Sequence, residues 1–232
     1  MKPVRLFRHI NCSIPGYLCR FLKDHGVPFE IACIGEGVRV PDSLDDVSGL
    51  VFMGGPGDVN SPVPWMQEEQ ATIQKAAKHG TPVMGVCLGA QMMSKALGGI
   101  ASSDYKLEVG WHHVETVAGA EDNPWFKNLP PRFEVFQWHA HEFTLPPGAT
   151  ALLTSRCAPC QAFSFGNMLA MQFHLEINTG IVRSLTQQYA GDIGTESECV
   201  QKAGELCSQL DERVSHLHTT ADAIYSNWLE QL

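Results

Sequence analysis

The chain has 232 residues, enough to bury a full core without staples, and 44% hydrophobic with 18% charged residues is an ordinary globular balance. Sixteen Lys and Arg against 25 Asp and Glu give a formal charge of −9 with no basic cluster, which argues against nucleic acid and anionic membrane as partners. No apolar run approaches the roughly 20 residues of a spanning helix and no signal-peptide pattern opens the chain, so a cytoplasmic protein is expected.

In chain order, Val4 to Ile10 reads as a first strand and Pro15 to His25 as a helix with Leu18, Phe21 and Leu22 on one face. Phe29 to Ile34 is a second strand. Gly49 to Met53 is a third, ending in Gly54, Gly55, Pro56 and Gly57. Glu68 to His79 reads as a helix burying Ala71, Ile73, Ala76 and Ala77. Pro82 to Val86 is a fourth strand, followed by a helix carrying Ala90, Met93, Ala96 and Leu97. Such alternation argues a parallel sheet covered by helices on both faces, with any active site outside the carboxyl ends of the strands.

Between the fourth strand and its helix, Gly85, Cys87 and Gly89 form a small-x-nucleophile-x-small turn. Such a turn holds its central residue in a strained conformation at a helix amino terminus, where partial positive charge favours thiolate. Cys87 is therefore a candidate nucleophile; the alternative is a buried structural cysteine. The GGPGDV rim at Gly54 either cradles an anion or lets backbone N–H groups approach a reacting oxygen. No Lys and Ser/Thr follow as in a phosphate loop. Paired with Cys87, the second use fits better, with an N–H from the Gly54/Gly55 loop and the N–H of Leu88 binding an oxyanion.

After Gly99 the pattern changes to shorter β-like runs, separated by turn signals at Pro146, Pro147, Gly148 and at Gly166, Asn167. Antiparallel ribbons extending from the parallel sheet are expected, with Met168 to Phe173 returning to it. Period-two alternation puts His174 and Glu176 on one side beyond that strand, where the carboxylate can hold one imidazole nitrogen while the other faces a thiol. Asn178 to Ala190 reads as a helix, and Ser197 to Leu232 as one or two amphipathic helices that form either a cap or a contact surface. One domain over 1–190 with a helical extension over 191–232 is the economical division. The eight cysteines, Cys12, Cys19, Cys33, Cys87, Cys157, Cys160, Cys199 and Cys207, are scattered over a large domain, so reduced thiols are expected. Cys157 and Cys160 make a CAPC without a second ligand pair, and no metal is expected there.

Gly54-Gly55-Pro56, Gly85-Val-Cys87-Leu-Gly89-Ala-Gln91 and Gln172-Phe-His174-Leu-Glu176, in that order, resemble the class I glutamine amidotransferase family of the Cys-His-Glu type. The resemblance runs from about Val4 to Tyr189 and is strongest to stand-alone proteins related to the amidotransferase half of GMP synthase. It implies an α/β three-layer sandwich of flavodoxin-like type, with a mainly parallel central sheet, a small antiparallel ribbon and the helical extension. It also implies glutamine hydrolysis through a γ-glutamyl thioester on Cys87, with His174 as general base and acid and Glu176 orienting it. Gly55 and Leu88 match the oxyanion hole. Gln91 and the backbone around Trp138 and His139 match the positions that hold the substrate's α-amino and carboxylate groups, and Glu108, which matches a residue near the pocket, is expected with them as a substrate-binding residue.

Two positions depart from the family pattern: Leu175 stands where proline is usual, and Ala140-His141 where glycine-aspartate is usual. No cofactor is implied. The expected partners are glutamine or another γ-glutamyl compound, and a synthetase on another chain, since no pyrophosphatase loop occurs in the sequence. A γ-glutamyl peptidase, with the cleft from Tyr105 to Trp111 and from Trp138 to Glu142 setting leaving-group size, and a non-catalytic binding module are the competing readings.

Overall fold

Apolar runs of four to nine residues bounded by glycine, proline or charge become strands, and the described residues place nine of them in one sheet. In the computed structural model the described residues are 1–9, 15–41, 43–102, 104 and 106–232. Ile10, which ends the expected first strand, Cys12 and Tyr105 lie outside them. The strands are β1 Val4–Arg8, β2 Phe29–Cys33, β3 Gly49–Phe52, β4 Val83–Val86, β5 Glu108–Thr116, β6 Arg132–His139, β7 Thr150–Ser155, β8 Ala162–Phe165 and β9 Met168–Met171. Their order is β2-β1-β3-β4-β9-β8-β7-β5-β6. The pairings from β2 across to β9 are parallel, and the rest are antiparallel. The ribbons anticipated after Gly99 are thus a four-stranded continuation of the same sheet.

The helices are α1 Gly16–Asp24, α2 Pro64–His79, α3 Leu88–Ala96, α4 Thr179–Gln188, the short α5 Ala190–Ile193 and α6 Ala203–Leu206, and α7 Leu210–Leu229. Successive strand residues face opposite sides, so each parallel strand feeds two cores. Leu6, Val51, Met53, Met84 and Val86 meet Leu18, Phe21 and Leu22 of α1 and Tyr225 and Trp228 of α7. Phe7, Leu50, Phe52 and Val83 meet Ile73 and Ala76 of α2 and Met93 of α3 on the other side. Trp228 is fully buried against β3, where a Cβ added to Gly49 would stand 3.2 Å from its ring. Segment 191–232 therefore supplies part of the first core, and the His218 Nε2 donates to the Ile177 carbonyl at 2.8 Å beside the Glu176 loop.

Two expectations are corrected. Helix α2 begins at Pro64, a residue suited to a first helical turn because its missing N–H has no intrahelical partner there. Its buried face is Met66, Glu69, Thr72, Ile73 and Ala76, while Ala71 is exposed and Ala77 half-buried. The reduced-thiol expectation fails at one pair, because Cys157 and Cys199 form a disulfide; Cys19, Cys33, Cys87, Cys160 and Cys207 are free. The physical reason is tertiary. The 199–201 segment runs along β5, with the Val109 N–H donating to the Cys199 carbonyl at 2.8 Å, and so meets the CAPC loop after β7. Cysteine usage therefore gives no argument for a reducing compartment. Among the described residues no helix is long and apolar enough to cross a membrane.

Candidate active site

The turn after β4 has the geometry its glycines permit. Cys87 sits at φ +51°, ψ −107°, a left-handed conformation that a side-chain-bearing residue adopts only under constraint. The constraint comes from both sides. The Cys87 N–H donates to the Met171 carbonyl at 2.8 Å, and the Cys87 carbonyl accepts from the Gln91 N–H at 3.0 Å in the first turn of α3. A Cβ on Gly89 would run into the carbonyl of Phe52, and one on Gly85 into Met93 and the backbone N of Ala90. The strain of the elbow is held by close packing of β3, β4 and α3 that only glycine allows.

His174 follows β9 and is tied by its N–H to the Phe136 carbonyl at 2.8 Å. Its Nδ1 donates to Glu176 Oε1 at 2.7 Å. The Glu176 backbone is fixed in turn, its carbonyl accepting from the Tyr17 N–H at 2.8 Å at the start of α1. Cys87 and His174 meet at Gly54: a Cβ there would stand 2.9 Å from His174 Cε1 and 3.4 Å from Cys87 Cβ. Burial works against the charged imidazole, but the Glu176 carboxylate, the Cys87 sulfur and the hydrogen bonds to both carry its pKa well above the usual histidine value. A sulfur, an imidazole and a carboxylate in this arrangement meet the geometric requirement for a nucleophile, a base and a group that orients the base.

The three groups open on a cavity of about 440 Å³. Of the residues expected at the site, Gly55, Gln91, Trp138 and His139 line it with Cys87, His174 and Glu176. Leu88 has a buried side chain, and its N–H begins α3 beside the sulfur. The Gln91 amide donates to the His141 carbonyl at 3.0 Å, so the Ala140-His141 departure from the family pattern leaves this loop anchored to α3. Leu175, in the usual proline position, is buried in the first core.

Glu108 is corrected as a direct contact. It stands behind the cavity wall, with Oε2 accepting from His139 Nε2 at 3.0 Å and from Gln161 at 2.8 Å, and Oε1 accepting from Ser155 at 3.1 Å. His139 Nδ1 donates to the His141 carbonyl at 3.1 Å, so both ring nitrogens are fixed. Burial pushes the Glu108 carboxyl up, but hydrogen bonding and charge from His139 outweigh it and hold the group below the usual carboxylate range. Glu108, His112 and Cys157 bring ligand-type atoms within 4.8 Å of one another, but the sulfur is committed to the disulfide and the carboxylate to this network.

A family model described as glutamine amidotransferase class-I matches residues 13–183. The chain belongs to that family. It is 35% identical over 130 residues, 56% of this chain, to a GMP synthase (glutamine-hydrolyzing) of Thermomicrobium roseum, and spans 23% of the length of that relative. It is 30% identical over 132 residues to a GMP synthase (glutamine-hydrolyzing) subunit of Thermococcus kodakarensis, covering 56% of this chain and 66% of the relative. A crystal structure of a glutamine amidotransferase from Methylobacillus flagellatus superimposes with a TM-score of 0.94 at 30% identity, covering 100% of this chain and 96% of that one.

Within this amidotransferase, sequence reasoning missed three contributors to the site. Ile177 and the α4 residues Ile181 and Leu185, with Tyr189, form an apolar wall of the cavity; the i, i+4, i+8 spacing of the last three was a readable signal. Asp192 accepts from the Trp138 indole N–H at 3.0 Å and pins one side of the mouth. His9, after β1, is buried against the Gly54-Gly55 loop with the buried Glu69 of α2 bonded to the far side of its ring, and nothing in their local sequence marks them.

Proposed function

We propose that this class I glutamine amidotransferase hydrolyses L-glutamine to glutamate and ammonia through a γ-glutamyl thioester on Cys87. The Cys87 thiolate attacks the side-chain amide carbon, and the resulting oxyanion is held by the N–H groups of Gly55 and Leu88. His174, holding the proton that left the thiol, gives it to the departing nitrogen as the C–N bond breaks and ammonia leaves. His174 then takes a proton from water as that water attacks the thioester, and the second tetrahedral intermediate collapses to glutamate and free thiolate. Glu176 orients and charges the imidazole throughout. Gln91 and the backbone at Trp138 and His139 hold the substrate's α-groups, with Glu108 fixing His139 from behind. The observation that carries this reading is the meeting of the strained Cys87 with His174 around Gly54, with Glu176 2.7 Å behind the ring.

That the Thermococcus kodakarensis relative is named as one subunit of a GMP synthase supports a further element of the proposal: the ammonia is passed to a synthetase on another chain. A second reading, hydrolysis of γ-glutamyl amides with larger leaving groups, is favoured by one observation. At about 440 Å³ the cavity falls within the size range of sites for ligands larger than a single side-chain amide, and Ile181, Leu185 and Tyr189 give it an apolar wall. Ammonia release from glutamine, compared with amine release from γ-glutamyl amides of increasing size, separates the two through kcat/KM. Glutamine turnover abolished by Cys87→Ala supports thioester chemistry; turnover of any of these substrates by Cys87→Ala at the wild-type rate would reject both readings, and with them a role for Cys87.

A further inference from the structure

The parallel register that pairs Phe7 with Phe52 brings His9, two residues beyond Phe7, alongside Gly54, two residues beyond β3. There the His9 Nδ1 lies 3.2 Å from the Gly54 carbonyl oxygen. Its Nε2 lies 2.9 and 3.1 Å from the two carboxylate oxygens of Glu69. The ring stacks on Trp65 at a centroid distance of 4.8 Å, and a Cβ on Gly55 would come within 3.0 Å of His9 Cβ. Histidine and glutamate are both sealed from solvent, with Glu69 at 0% exposure. A buried polar pair of this kind contributes little net stability compared with an apolar pair of the same shape.

A carbonyl oxygen can only accept, so His9 Nδ1 carries a proton whichever way the other proton lies between Nε2 and Glu69. The acceptor is the C=O of the Gly54–Gly55 peptide unit, and the N–H of that same unit belongs to Gly55. Hydrogen bonds in series polarise one another, and a donor on the C=O of a peptide strengthens the donation from its N–H.

We propose that His9, backed by Glu69, is a positioning residue of the amidotransferase reaction, fixing and polarising the Gly54–Gly55 peptide so that the Gly55 N–H is aimed at the developing oxyanion. This rests on the thioester reading above. The pair never touches substrate; it acts through one peptide plane. Loss of an oxyanion donor outright costs about 10²–10³-fold in kcat, and loosening one by removing its support costs less, about 10- to 100-fold.

The test uses the full chain and the double variant His9→Phe/Glu69→Leu, which replaces both partners by apolar groups so that neither is left buried alone, with His9→Asn as the conservative partner retaining an N–H near the Nδ1 position. Four quantities are measured: kcat and KM for glutamine, the affinity of a glutamate γ-aldehyde, which forms a tetrahedral adduct with the thiol, the alkylation rate of Cys87 by iodoacetamide, and the melting temperature. The double variant should lose about 10- to 100-fold in kcat and a matching factor in aldehyde affinity, with KM within about twofold and alkylation unchanged, while His9→Asn recovers most of the loss. Unchanged kcat in the double variant, or no recovery in His9→Asn, overturns the inference. So does a parallel fall in KM-level binding, alkylation and melting temperature, which is what a merely structural pair would give. Failure of the thioester reading is distinguishable, because Cys87→Ala would then still turn over glutamine.

Discussion

Replacing Glu176 by glutamine keeps the side-chain shape and an oxygen that can accept from His174 Nδ1, and removes one buried negative charge 2.7 Å from that nitrogen. The imidazolium that forms as the thiol is deprotonated then loses its partner. For unit charges about 4 Å apart at an effective dielectric of about 20, the interaction is about 4 kcal/mol. At about 1.36 kcal/mol per tenfold, kcat/KM for glutamine should fall about 10³-fold. Ammonia release followed by a coupled assay, with circular dichroism to show the fold intact, measures it; a folded Glu176→Gln within tenfold of wild type would refute the orienting role.

The same variant has a signature in stability. The folded pKa of His174 lies above its unfolded value, so its contribution is fully present below about pH 6.5 and is lost as pH rises through the folded value. With the carboxylate gone, only the Cys87 sulfur still opposes burial, which disfavours the charged form. The gap in unfolding free energy between wild type and Glu176→Gln should therefore be wider at pH 5.5 than at pH 9. A gap that is constant, or widens with rising pH, would contradict the assignment of cause.

Gly54→Ala puts a methyl 2.9 Å from His174 Cε1 and 3.4 Å from Cys87 Cβ, so glutamine turnover should drop at least about 10²-fold with a melting temperature near wild type. Trp228→Ala empties a fully buried site between α7 and β3 and should cost about 3–5 kcal/mol in urea unfolding, in a single transition because 191–232 shares the first core. Two separate transitions would show instead that this segment folds apart from residues 1–190. Opening the Cys157–Cys199 disulfide, which spans a sequence separation of 42, should cost about 4 kcal/mol on loop entropy, seen as a lower melting temperature under thiol reductant that is absent in Cys157→Ser/Cys199→Ser.

What could be read from the chain was local in sequence. The elbow announces itself because Gly85 and Gly89 are dictated by contacts within one strand-turn-helix unit, and His174 and Glu176 because two residues on a strand's period return to one side. The strands and helices around them follow from short apolar runs and 3.6-residue spacing, which burial of each sheet face enforces. What escaped was long-range. His9 and Glu69 are 60 positions apart and meet only because β1, β3 and α2 converge at Gly54. Cys199 reaches Cys157 only because the 199–201 segment runs along β5. The buried face of α2 was misphased at Ala71 because its period was read without the first turn at Pro64, and because a buried Glu69 carries no hydrophobic signal. Glu108 was placed one layer too close to the substrate, since sequence gives adjacency along β5 but not which side of His139 the carboxylate occupies.

The claim on which the account turns is a covalent γ-glutamyl enzyme at one sulfur. Radiolabelled glutamine mixed with the full chain, quenched in acid within the first turnover and mapped by peptide mass spectrometry, should yield a γ-glutamyl adduct on Cys87 that is absent in Cys87→Ala and accumulates when water attack is slowed. Glutamine hydrolysis with no such adduct, or with label on Cys19, Cys33, Cys160 or Cys207, would contradict it.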